Sequence, residues 1–149
     1  MTSAATNAVQ AEHWNGPEGH HWAAHHERYG AMLAPFGDRV LDAAAVGPGE
    51  RVLDVGCGAG DLALAAGRSV GPEGHVVGVD LSVPLTEAAS RRAAEAGLGN
   101  LSFVVGGAQS YACGAGAFDV AVSRFGVMFF DDPSAAFTNI GHRCGRVGV

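Results

Sequence analysis

Short apolar runs alternate with longer helical stretches along most of this chain. Arg51-Val-Leu-Asp-Val55 is almost continuously apolar, the pattern of a strand buried on both faces. Residues 59–69 read as an apolar helix that Gly71-Pro72 stops. His75–Val79 is a second strand. Ser82 is placed to cap the next helix, with Pro84 in its first turn and Gly97 and Gly99 at its end. Leu101–Val105 and residues 118–123 are the third and fourth strands, and Asp132-Pro133 opens a last helix running through Ile140. This alternation predicts a parallel sheet with right-handed crossovers, an α/β doubly wound fold.

The first third reads differently. Met1 to about Ala11 is small and polar, as in a frayed arm. Trp14, Trp22 and Tyr29 surround two histidine pairs, His20-His21 and His25-His26, and Trp22, His26 and Tyr29 fall at helical spacing. Gly30 to Pro35 interrupts that pattern before a helix near residues 38–45, which Gly47-Pro48-Gly49 ends. The expected division is a helical cover over residues 1–45 and a sheet domain over 46–149.

A length of 149 residues allows one domain with a modest core. With 48% hydrophobic and 16% charged residues, the composition is that of a folded protein. The net charge is -6 and no basic stripe stands out, which argues against a nucleic-acid partner. Cys57, Cys113 and Cys144 form no C-x-x-C pair, so a reducing, cytoplasmic setting is expected. Residues 1–10 lack the features of a signal peptide, and no apolar run is long enough to span a bilayer.

The chemistry concentrates after the first strand. Gly56, Gly58 and Gly60 let a ligand approach main chain. The spacing is G-x-G-x-G, and Asp61 stands where a dinucleotide fingerprint would carry its third glycine. An acid is unfavourable beside a pyrophosphate and suits a cationic amino group. Asp80 ends the second strand 20 residues after Gly60, where a carboxylate can accept hydrogen bonds from a ribose diol. Leu81 beside it offers an apolar surface to a base.

Residues 52–60, Gly78-Val-Asp-Leu-Ser82, Ala108-Gln109 and residues 118–133 together resemble the class I S-adenosylmethionine-dependent methyltransferases, in their ubiquinone- and menaquinone-biosynthesis-type branch. The resemblance runs from about Trp14 to Ile140. It implies a Rossmann-like, mainly parallel sheet with a helical N-terminal cover, and S-adenosyl-L-methionine as cofactor. It implies that Asp54 and the loop Gly56, Cys57, Gly58 and Gly60 hold the methionine end. Asp80 would hold the ribose, Leu81, Ala108 and Gln109 the adenine, and Ser123, Arg124 and Phe125 the methyl-transfer face. Two departures stand out. Gly107 occupies a position where the family usually carries an acid for the adenine amino group. The tail, Gly141 to Val149, lacks the family's Pro-Gly-Gly-type turn, so C-terminal strands are expected to be missing, and the fourth strand is expected either to find a partner in the few residues Arg146–Val149 or to expose an edge that favours self-association.

Three functions follow. The first is methyl transfer to a small-molecule acceptor at carbon, oxygen or nitrogen. The second is a cofactor-binding fragment without catalysis. The third is a nicotinamide-dependent oxidoreductase, which the Asp61 spacing disfavours. No catalytic residue is assigned. A histidine of the cluster is a candidate base, but no acid or cysteine pattern supports a metal site there. Cys57 has no base in evidence, and its small size explains it. Arg124 is balanced between binding a substrate acid and forming an ion pair.

Overall fold

The computed structural model describes residues 7–148. The expected arm at residues 1–6 lies outside them, and the remainder of it is helical. Helix α1 covers Ala8–Asn15 and α2 covers Pro17–Ala24, followed by α3 over His26–Ala44. The sheet region then runs β1 Arg51–Val55, α4 Asp61–Val70, β2 His75–Asp80, α5 Val83–Glu95, β3 Leu101–Val105 and β4 Phe118–Val122. A 3-10 turn at Gly126–Phe129 leads to α6 Pro133–Arg143 and β5 Cys144–Gly148. No described helix is long and apolar enough to cross a membrane.

The five strands are ordered β3-β2-β1-β4-β5, and every pairing is parallel. Chain order reverses between β1 and β4, so the crevice beyond their carboxyl ends is the switch point where ligands bind in such sheets. Alternation along the strands divides the core. Val52, Val76, Val120 and Val122 face α3 and α4 on one side. Leu53, Val55, Val79 and Ala121 meet Ile140 of α6 on the other. The predicted caps are present. Ser82 Oγ accepts from the Leu85 N–H at 3.3 Å, and Asp132 Oδ1 accepts from the Ala135 N–H at 2.9 Å.

Two expectations are corrected. The cover helix does not break between Gly30 and Pro35. It continues for 19 residues with Pro35 inside it, although an interior proline costs about 3 kcal/mol. Packing compensates: a Cβ on Gly30 would lie 2.8 Å from Asp61 Oδ1, and one on Gly37 3.5 Å from Leu62 Cδ1. Gly30, which looks like a breaker, lets α3 lie directly on the start of α4.

The second correction concerns β4, which is not an edge. Phe118, Val120, Ala121 and Val122 pair with Cys144, Arg146, Val147 and Gly148. Arg146 anchors this last strand: its Nε donates to the Ala44 carbonyl at 2.9 Å, and its Nη2 reaches both Glu50 carboxylate oxygens at 2.7 Å. A guanidinium on the final carbonyls of α3 serves as its C-terminal cap. The open edge moves to β5, whose middle residues are exposed.

A close backbone contact joins the loops after β1 and β4. Gly56 has φ +70, and a Cβ on it would lie 2.6 Å from Gly126 Cα; one on Gly126 would lie 2.4 Å from the Val55 carbonyl oxygen. Because these obstacles are main chain, Gly126→Ala should destabilise the fold by about 1–3 kcal/mol, the usual cost of overpacking. Gly141→Ala, in a helix with nothing within 4 Å, should be neutral or stabilising by up to about 1 kcal/mol. Urea denaturation of the two variants tests the contrast.

Candidate functional site

A cavity of about 400 Å³ opens at the switch point. The glycine loop from Asp54 to Ala59 forms its floor, with Asp80, Leu81, Gly107 and Ala108 at one end. Arg124, Phe125, Met128, Phe129 and Phe130, which follow β4, form a second wall. The cover closes over it with Asn7, Trp14, Trp22, His26, Tyr29, Met32 and Leu33.

Asp80 joins two parts of this floor. Its Oδ2 accepts from the Gly58 N–H at 2.8 Å and its Oδ1 from the Ser82 N–H at 2.9 Å. Burial raises its pKa, and the N–H groups of Ser82, Gly58 and Leu81 oppose that rise. Each carboxylate oxygen keeps a further lone pair for a ligand hydroxyl. Leu81 and Ala108 supply apolar surface beside it. At Gly107 a Cβ would meet nothing closer than 3.5 Å, and one of its neighbours at that distance is Asn7 Nδ2.

Asp54 is more unusual. It is 1% exposed and its Oδ2 has no hydrogen-bond partner. Burial pushes its carboxyl up to about 7; Arg124 pulls the other way, while Asp80 and Asp61 add to the rise. A buried orphan oxygen in a cavity floor is a place for a donor or cation.

The expectation for Asp61 is corrected. Its carboxylate does not stand free for an ammonium group. Arg92 reaches Oδ1 at 2.9 Å and Arg124 reaches Oδ2 at 3.2 Å. Two guanidiniums already neutralise it, and Asp54 carries the unspent oxygen instead. Arg124 is resolved in the same way, as an ion-pair partner on the cavity wall. Cys57 is buried, and its thiol is pushed well above its usual range by burial and by Asp54 and Asp80. It therefore stays protonated and unreactive.

The structure brings together Asp54, Gly56, Cys57, Gly58, Asp80, Leu81, Ala108, Arg124 and Phe125 on one cavity. Three predicted residues stand behind that wall. Gly60 is the N-cap of α4 with φ 90. Buried Ser123 donates its hydroxyl to the Val55 carbonyl at 2.8 Å. Gln109 accepts from the Asp132 N–H at 3.2 Å. They brace the loops. Phe125 lies in the left-handed region at φ 67, a strained conformation for a bulky side chain, and its ring packs on Phe36 at 5.4 Å.

The cover residues were legible only as helical spacing. Trp22 stacks on Tyr29 with ring centroids 3.8 Å apart, and Trp14 meets Phe129 at 5.9 Å, so the cover touches the loop after β4. Asn7 carried no sequence signal. It is buried, and its Oδ1 accepts from the Asp131 N–H at 2.7 Å across 124 positions. Among the described residues no group of three or more His, Cys, Asp or Glu is arranged to hold a metal.

Comparison with known proteins gives the same picture. Residues 52–146 match the family model described as methyltransferase domain. Nocamycin O-methyltransferase of Saccharothrix syringae is 37% identical over 121 residues, 79% of this chain and 43% of that protein. Demethylmenaquinone methyltransferase of Geobacillus kaustophilus is 31% identical over 131 residues, 85% of this chain and 56% of that protein. The chain thus spans about half the length of the curated relatives it matches. The crystal structure of a SAM-dependent methyltransferase from Aquifex aeolicus superposes with a TM-score of 0.67 at 21% identity, covering 72% of this chain and 57% of that one.

Asp54 makes stability depend on pH. Its folded pKa of about 7 lies above the unfolded value of about 3.9. The native state therefore holds a proton that the unfolded state releases between those values. Its contribution is fully present below about pH 4 and is lost as pH rises through about 7. Asp54→Asn should remove that slope. The stability of the variant relative to wild type should rise between pH 5 and pH 8, at up to about 1.4 kcal/mol per pH unit over the affected range. Urea titrations at several pH values measure it, and a constant difference would show that Asp54 is not held neutral.

Proposed function

The chain belongs to the class I S-adenosylmethionine-dependent methyltransferase family, and on that premise we propose that it binds S-adenosyl-L-methionine in the switch-point cavity and transfers the methyl group to a small-molecule acceptor. One observation carries this reading. A single cavity joins Asp80, which has lone pairs for a ribose diol, to Asp54, which has a buried carboxylate oxygen without a partner. A nucleoside bearing a cationic amino-acid tail matches both ends. Its adenine would lie against Leu81 and Ala108, its tail along Gly56, Cys57 and Gly58, and its ammonium toward Asp54.

When bound, the cofactor supplies an already activated methyl group on a sulfonium. The protein's work is then mostly placement. The glycine loop and Asp80 fix the donor, while Trp14, Trp22, Phe125 and Phe129 exclude water and leave room for an acceptor. Arg124 holds Asp61 and stays out of acid–base chemistry. A nicotinamide cofactor is disfavoured because Asp61 stands where a dinucleotide fingerprint carries its third glycine.

Calorimetry with S-adenosylhomocysteine and with NAD tests the assignment. S-adenosylhomocysteine should bind more tightly. Its ammonium should also lower the pKa of Asp54, so that below about pH 7 binding releases up to about one proton per ligand. Titrations in buffers of different ionisation enthalpy count that proton. Tighter binding of NAD would overturn the cofactor.

Asp80→Ala should weaken S-adenosylhomocysteine binding by on the order of 2–4 kcal/mol, the worth of two charge-assisted hydrogen bonds. Asp119→Ala should leave affinity unchanged, because Asp119 spends its carboxylate on the Arg51 N–H at 2.8 Å and its guanidinium at 3.1 Å. Equal affinity of the Asp80 variant and wild type would remove the ribose role.

A further inference from the structure

We propose that Asn7, at the head of the cover, reads the base of the bound nucleoside: its side-chain Nδ2 donates a hydrogen bond to a ring nitrogen of the adenine. The inference rests on the cofactor reading above and adds the residue that recognises the purine.

The observations concern the Gly107 end of the cavity. Leu81, Gly106, Gly107 and Ala108 line it and bring aliphatic surface but no polar side-chain atom. Gln109, next in the chain, spends its amide oxygen on the Asp132 N–H at 3.2 Å. Asn7 lines the same cavity from ahead of α1. A Cβ on Gly107 would lie 3.5 Å from Asn7 Nδ2 and 3.5 Å from Leu81 Cδ2. The amide nitrogen thus stands beside the surface that would receive the base.

Asn7 is tied in place. Its Oδ1 accepts from the Asp131 N–H at 2.7 Å, and its own main-chain N–H donates to the Asp131 carboxylate. The first bond fixes which way round the amide sits, with oxygen toward Asp131 and nitrogen toward Gly107. Asn7 is the N-cap residue of α1, at φ 59, a left-handed conformation that asparagine tolerates better than most residues. Its side chain nevertheless makes no capping bond to α1, the usual service of an asparagine in that position.

Nδ2 is also open. Among the described residues the buried side-chain atoms without a hydrogen-bond partner are His26 Nδ1, Asp54 Oδ2 and Asn100 Oδ1. Asn7 Nδ2 has no partner among the described residues either, yet it is not one of these buried atoms. It therefore keeps accessible surface, on a residue that lines the cavity. An amide nitrogen only donates, so its partner on the ligand is an acceptor. The exocyclic amino group of adenine is itself a donor; the ring nitrogens accept.

The test is a cycle between residue and ligand atom on the full chain. The ligands are S-adenosylhomocysteine and its 1-deaza, 3-deaza and 7-deaza forms, each with CH in place of one ring nitrogen. The proteins are wild type, Asn7→Ala and Asn7→Asp, the last of which keeps an oxygen for the Asp131 N–H and exchanges only the donor. One deaza form should bind wild type about three- to tenfold more weakly than the parent through loss of one hydrogen bond, and that penalty should vanish in both variants. A looser tie to Asp131 weakens all four ligands alike and leaves the ratios unchanged, so the ratio separates the contact from a structural role. Equal binding of all four ligands to wild type, or the same ratios in wild type and either variant, would overturn the assignment of Asn7. The same cycle is run with adenosine and its deaza forms, which lack the amino-acid tail. If S-adenosylhomocysteine fails to bind while adenosine shows the penalty, the cofactor reading falls and Asn7 stands as a purine contact; binding of neither overturns both.

Discussion

The approach of Gly56 to Gly126 is the constraint on which the site depends. Two loops leave neighbouring parallel strands at the point where chain order reverses, and their main chains touch. Ser123 closes the contact from below by donating to the Val55 carbonyl at 2.8 Å. Since neither loop has a side chain at the crossing, the floor of the cavity is backbone. Its shape follows from strand register rather than from rotamers. Asp54, two residues before the crossing, is thereby held in the core with an oxygen that no protein group reaches.

A second tie fixes the cover over that floor. Asp61 accepts from Arg92 of α5 and from Arg124 after β4, and α3 passes so close that Gly30 has no room for a Cβ. Three segments distant in sequence meet on one carboxylate. With side-chain exposures of 14–23%, these pairs are sheltered from screening more than surface pairs are. Their value is geometric more than energetic: they orient the guanidiniums and set the distance between the cover and the loop after β4.

The sheet was legible because its signals are local. β1, β2 and β3 are short apolar runs with glycine close to one end or both, and their ends fall within about a residue of the expected ones. Asp80 was legible because a strand end places its last side chain in a known direction. The cover was not legible at α3, since propensity reads Gly30 and Pro35 as breakers and cannot see Asp61 lying where a Cβ on Gly30 would go. β5 was legible only as one of two alternatives, for the converse reason. Cys-Gly-Arg-Val-Gly has little strand propensity of its own, and it becomes a strand through the hydrogen bonds of β4 and the anchor at Arg146. The role of Asp61 required knowing that Arg92 and Arg124 converge, which spacing does not reveal.

Arg146 ties the last strand to the last carbonyls of α3 and to Glu50. One residue therefore holds the last strand to the end of the cover helix. Breathing of the tail and breathing of the lid cannot be independent: freeing β5 uncaps α3, and lifting α3 removes the acceptors that anchor β5. In hydrogen-exchange terms the two form one foldon at the low-stability end of the molecule. The cover over the cavity is thereby tied to a strand three places along the sheet from the one that carries Asp80.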